Sequence, residues 1–183
     1  MKQLSKKLLC LTALVLAGCA TGIQSTADHD PLDAQVKWAL LPMANHTDTP
    51  QAALSAEAML EHQLRRRGIS TLLHYPATLS RDSLFEPTER KVSEEAQKWA
   101  VEQGARFAVV GSVDEWRYKV GIDGEPAVGV TLKVIDLSNN RVVWSGAGAK
   151  SGWSREALSA VAQAMLTDLL GRLQLTSGQA LTR

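Results

Sequence analysis

Cysteine is almost missing from this chain: Cys10 and Cys19 are the only two among 183 residues. Everything after Cys19 therefore lacks a disulfide and a thiolate metal site, and stability must come from packing. His29, His46, His62 and His74 are far apart, and none has a histidine or cysteine three or four residues away. Zinc spacing is absent, and no metal residue is assigned. There is no Gly-x-Ser-x-Gly elbow and no phosphate-binding glycine loop, so the reading is non-enzymatic and without a cofactor. Charge of one sign is lacking too: 20 basic side chains stand against 19 acidic ones, a balance that argues against nucleic acid. The apolar run from Leu8 to Ala17 is too short for a membrane span, which needs about 20 residues, and no later segment comes close.

What is present starts with Lys2, Lys6 and Lys7, followed by the apolar stretch and by Leu16-Ala17-Gly18-Cys19. This pattern resembles the lipobox of a bacterial lipoprotein signal peptide. Residues 1–18 are then the leader, and Cys19 becomes the first residue of the mature chain. The resemblance implies a diacylglycerol thioether on its sulfur and a third acyl chain, such as palmitate, on its amine. At about 0.8 kcal/mol per buried CH₂, several chains together anchor a protein permanently. Ala20 is not the aspartate that retains such proteins at the inner membrane, so the outer membrane, facing the periplasm, is implied. Without the three leader lysines, 17 basic residues face 19 acidic ones, a net charge of −2. The 165 residues from Cys19 onward suit one domain.

Residues 19–35 are small or polar and read as the acylated cysteine and a flexible tether. A single domain is expected over 36–175, with a C-terminal tail at 176–183. Val36 to Pro42 fits a strand entering a loop. Thr49 as N-cap and Pro50 at the first helical position predict a helix to about Arg67. That helix places Leu54, Ala58, Met59, Leu60 and Leu64 mostly on one side and Glu57, Glu61, Arg65 and Arg66 toward water. Ile69 to Tyr75 reads as a strand, and a helix from about Ser93 to Gly104 carries Ala96, Trp99 and Ala100 inward. Downstream the period changes to alternation. Phe107 to Lys119, Val128 to Ile135 and Arg141 to Ser145 predict an antiparallel meander, Asp136 to Asn140 being turn chemistry. Gly146, Gly148 and Gly152 loosen the chain before Ser154 caps a last helix, whose stripe runs through Leu158, Val161, Ala162, Met165, Leu169 and Leu173. The order βαβαβββα defines an α/β sandwich, a mixed sheet with a meander covered by helices.

Three carboxylate pairs, Glu94-Glu95, Asp114-Glu115 and Asp123 with Glu125, are candidates for a glycan hydrolase, but spacing alone does not establish them. Neighbours on a strand point to opposite faces, and turns favour aspartate for ordinary reasons. Five tryptophans against two phenylalanines and two tyrosines is an unusual balance. Trp153 stands apart, in a loop at a helix start where periodicity gives a large apolar side chain no reason to be. Membrane or partner contact and local packing are both open for it.

Three stretches carry a family resemblance: the lipobox, the run from Trp38 to Ala52, and Gly146 to Glu156 with its Ser-Gly-Trp-Ser-Arg-Glu core. They resemble the PelC family, the outer-membrane lipoproteins of the Pel exopolysaccharide export system, whose wider fold relatives are LpoB- and CsgG-like periplasmic lipoproteins. The resemblance implies a homo-oligomeric ring of about twelve subunits, closed by a head-to-tail interface. It implies a place beneath a PelB-like outer-membrane porin and an acidic lumen. That lumen would guide a cationic, partly de-acetylated amino-sugar polymer by its field during biofilm formation. Carried over by position, Trp153 joins a belt dipping into outer-membrane lipid, Asp123 is a lumen-facing acid with Glu125 beside it, and Arg106 makes the subunit contact. The rival readings are a monomeric LpoB-like activator of a penicillin-binding protein and a periplasmic glycan hydrolase. An activator must cross a wide gap, whereas some 15 residues of flexible tether reach only about 20 Å.

Overall fold

The computed structural model describes residues 21–27, 30–76, 89–121 and 124–176. Its elements are β1 (Thr21–Ala27), β2 (Leu32–Asp33), β3 (Trp38–Leu40), β4 (Ala44–Asn45), α1 (Ala52–Arg66), β5 (Leu72–His74), α2 (Glu89–Glu102), β6 (Phe107–Tyr118), β7 (Pro126–Asp136), β8 (Arg141–Ser151), α3 (Leu158–Leu170) and β9 (Leu175–Thr176). The expected α/β class and meander are present. Four strands, β1 of seven residues and the two-residue β2, β4 and β9, add to the expected order.

One mixed sheet runs β1-β8-β7-β6-β3-β5, with β4 also on β6. The parallel part is β5-β3-β6, and β6, β7, β8 and β1 are successively antiparallel. Alternation along β3 separates two cores. Trp38 and Leu40 point to one face, where they meet Leu60 and Leu64 of α1 and Met165, Leu166 and Leu169 of α3. Ala39 and Leu41 point to the other, against Ala96 and Ala100 of α2, with Tyr75 and Trp99 packed edge to face at 5.2 Å. Burying each large apolar side chain is worth about 1.5–3 kcal/mol, so the α1/α3 side dominates stability.

The largest departure concerns residues 21–27, read as tether. They form β1, paired antiparallel with β8 in a continuous register from Thr21 opposite Lys150 to Ala27 opposite Trp144. Edge-strand hydrogen bonds need no hydrophobic pattern, and Ile23 packs against the main core. Leu32 and Asp33 of β2 pair with Leu175 and Thr176 of β9, clipping the two ends of the fold together. Trp38 Nε1 donates to the Asp33 carbonyl at 3.0 Å, holding this clip to β3.

Several local expectations are corrected. Helix α1 starts after Gln51, a left-handed residue at φ 60°, with no side-chain cap. The Thr49 hydroxyl donates instead to the Trp116 carbonyl. Helix α3 starts after Ala157, again without a side-chain cap, because Ser154 and Arg155 belong to a separate turn. Gly146 and Gly148 do not loosen the chain. They lie within β8, where added Cβ atoms would come within 2.8 Å of Leu169 Cδ1 and Met165 Sδ, so they let α3 lie close on the sheet. On α1, Leu54 and Ala58 are exposed and Glu57 is buried, reversing their predicted sides.

Candidate membrane-contact corner and surface carboxylates

Strands β6, β7 and β8 end together at one corner. Tyr118 pairs with Pro126, Ala127 with Ser151, and the Gly152 N–H donates to the Pro126 carbonyl at 2.9 Å. Trp153 follows directly and is 71% exposed. Its backbone is nevertheless fixed. The Trp153 N–H donates to Glu156 Oε2 at 2.9 Å, and the Glu156 N–H returns a bond to the Trp153 carbonyl at 3.0 Å. The first bond is the glutamate half of a capping box and the second is the backbone bond of a four-residue turn, both ahead of α3. Gly152 is required here, since a Cβ would come within 2.5 Å of Glu156 Oε2 and Val161 Cγ2. A rigid turn thus holds a large amphipathic ring in water.

Glu125 lies at the same corner, half-buried, with Lys119 Nζ at 3.5 Å from Oε2. Asp123 and Cys19 lie outside the described residues. Arg106 is at the opposite end of the sheet, since it precedes β6 and β6 spans roughly 36 Å at 3.3 Å per residue. There it donates to Asp136 Oδ2 at 2.8 Å and stacks its guanidinium 5.5 Å over the Phe107 ring. Burial pushes the Asp136 carboxyl up. Hydrogen bonds from the Ser138 hydroxyl and N–H, with the nearby Arg106 charge, outweigh that and leave it below the usual aspartate value. Trp153 and Glu125 share one corner, and Arg106 is engaged within its own chain at the other end.

Two polar clusters escaped the sequence reading. Asp114 accepts from Ser112 Oγ and Thr131 Oγ1, each at 2.8 Å, and faces His46 Nδ1 at 3.1 Å. Desolvation raises its carboxyl, but these hydrogen bonds prevail and hold it ionised below its ordinary value. Such a group suits a fixed negative charge better than a proton donor. Glu115 is meanwhile bound to Arg117 Nε at 3.0 Å, so this pair is not poised as an acid and a base. A shallow groove of about 410 Å³ borders Asp114, lined by Gly22, Gln24, Gly129 and Ala147 on the sheet face away from α3. The second cluster places His74 between Glu57 and Glu61, each at 3.2 Å, with Glu61 also held by Arg65. The Arg65 hydrogen bond first, and then the His74 charge, lower the Glu61 carboxyl despite its desolvation. The spacing of Glu57 and Glu61 was visible, but a partner 13 to 17 residues away on another element was not. Among the described residues no group of three or more potential metal ligands occurs, and no helix is long and apolar enough to cross a membrane.

The solved structures decide the family. PelC from Paraburkholderia phytofirmans, a dodecamer in its crystal, is 39% identical over 86% of this chain and 99% of its own, with a TM-score of 0.72. The chain belongs to the PelC family. A PelC variant from the same organism in a second crystal form, also a dodecamer, is 40% identical over 85% of the chain and 99% of its own, at a TM-score of 0.73. Lipoprotein GNA1162 from Neisseria meningitidis, 15% identical over 75% of this chain and 96% of its own, shares the fold at a TM-score of 0.57. No family model matches the chain, and the search of curated proteins gives no match. Membership of the PelC family agrees with the resemblance carried by Trp38–Ala52 and the Ser-Gly-Trp-Ser-Arg-Glu run, and with the α/β class.

Proposed function

We propose that this chain is a non-catalytic outer-membrane lipoprotein, anchored through Cys19, whose copies form a periplasmic ring that guides cationic Pel exopolysaccharide to its porin. The observation that carries this reading is the near-complete coverage of a dodecameric PelC chain at 39% identity. Identity at this level over a whole fold supports a like ring, whose head-to-tail surfaces must complement each other. In this reading Trp153 touches lipid, and Asp123 and Glu125 supply negative potential for the polymer. Strand β1 adds support against a long-reach activator. It begins two residues after Cys19, so little free chain is left to cross the periplasm.

Native mass measurement of the purified, acylated protein in detergent tests the ring, with about twelve subunits expected from the dodecamer of the PelC relative. A monomer at high concentration, even with the porin present, overturns the proposal. Guidance is tested separately. Asp123→Lys is expected to lower polymer secretion several-fold in a complementation assay while the ring mass is unchanged. Unaltered secretion with an intact ring removes electrostatic guidance from that position.

A further inference from the structure

Three independent features converge on the corner that carries Trp153. The first is Val120, two residues past the end of β6 and fully exposed, with Tyr118 at the strand end half exposed. The Tyr118 hydroxyl bridges inward, donating to the Glu156 carbonyl at 3.3 Å and accepting from the Leu158 N–H at 3.1 Å. Its ring is therefore clamped to the turn that presents Trp153. The second feature is the start of β1. Thr21 lies opposite Lys150, three residues before Trp153 on the neighbouring strand. Chain geometry limits Cys19 to about 7–8 Å from Thr21, so the lipid must leave the fold near this corner. The third is charge. Arg155, exposed beside Trp153 at φ 66°, makes no ion pair among the described residues.

We infer that this corner is a composite bilayer-docking surface in which Val120, just past β6, enters the lipid interface alongside Trp153, with Arg155 meeting the phosphate of an anionic phospholipid. The inference rests on the reading of Cys19 as acylated and Trp153 as lipid-facing, and extends it to a second insertion point and a headgroup contact. Singly exposed apolar residues are ordinary. Two of them on adjacent turns, with a cation unpaired among the described residues beside Trp153 and the start of β1 on the strand flanking β8, match the apolar body and basic rim of interfacial anchors. Because β1 is a sheet strand, the lipid does not leash a freely tumbling domain. It holds the corner against the bilayer, and two shallow insertions then fix the tilt of the subunit. A soluble partner would not explain why the chain exit and the apolar tips coincide.

The test uses the full acylated protein in vesicles of phosphatidylethanolamine and phosphatidylglycerol. Cys10 departs with the leader and Cys19 carries lipid, so a cysteine introduced by Val120→Cys, Trp153→Cys or Val142→Cys is the one free thiol for an environment-sensitive fluorophore. Val142 is exposed at the far end of β8 and serves as the control. Quenching by spin-labelled lipid is expected to be several-fold stronger at 120 and 153 than at 142. Arg155→Glu is expected to reduce quenching at 120 in these vesicles and to leave it unchanged when phosphatidylglycerol is omitted. If the 153 label is quenched and the 120 label stays in water, the composite surface is wrong and the Trp153 reading stands. If neither is quenched, both fail.

Discussion

Gly111→Val should abolish the native fold. Gly111 sits in β6 opposite Leu132 of β7, and a Cβ built there would lie 2.3 Å from the Thr131 carbonyl oxygen and 2.8 Å from Leu132 Cδ2. The nearer atom is backbone, tied into the sheet ladder, and cannot rotate away as a side-chain end would. Relief requires β6 and β7 to separate at the middle of the meander, between the residues that order the Asp114 cluster on one side and both cores on the other. Ordinary overpacking costs about 1–3 kcal/mol, and adding a broken ladder should exceed about 4 kcal/mol, a large share of the 5–15 kcal/mol that holds a domain together. The purified variant is expected to lack a cooperative thermal transition and the near-ultraviolet signal of Trp38 and Trp144, both buried. A cooperative transition within a few degrees of the parent would show that the strands can part locally.

Glu57→Ala should cost about 3 kcal/mol, or roughly 6–12 °C in midpoint for a domain of this size. The carboxylate is 5% exposed, and its Oε1 accepts the Met43 N–H at 2.8 Å while Oε2 faces His74 Nε2 at 3.2 Å. Truncation leaves the Met43 N–H unsatisfied in the core and removes one of the two carboxylates that flank His74. Glu57→Gln keeps an oxygen for Met43 and should lose only about 1 kcal/mol. Calorimetry of the two variants separates the readings. Equal losses would mean that the charge, and not the hydrogen bond to the β3–β4 connection, is what matters. The same connection leads into β4 and the His46 side of the Asp114 cluster, so the truncation is expected to loosen that cluster as well.

Glu57 also shows where reading by period runs out. A helix stripe predicts which residues share a side, and Leu60 and Leu64 obey it, but the stripe is only about 100° wide and its edges depend on what packs there. Here β5 and the connection after β3 close over the edge and enclose Glu57, while Leu54 is left outside. The meander was legible because alternation and turn residues are local properties of Val128 to Ile135 and Asp136 to Asn140. The helix starts were not. Thr49 and Ser154 have cap chemistry, yet the Thr49 hydroxyl is drawn to Trp116, 67 positions away, and Ser154 falls in a turn closed by Glu156.

The amino-acid order alone determined the leader pattern, the class of fold, the helical and alternating stretches and, through the Trp38–Ala52 and Gly146–Glu156 runs, the family. Each of these is written in neighbouring residues or in a period of two to four. Only the tertiary structure decided that residues 21–27 are a strand, since their polar pattern carries no burial signal and their partner is the open edge of β8 more than 115 positions on. It alone also set Trp153 near the start of β1 and Arg106 at the far end of the sheet. Backbone pairing and strand direction place such residues in space, and both join stretches far apart in the chain, which no local run of side chains displays.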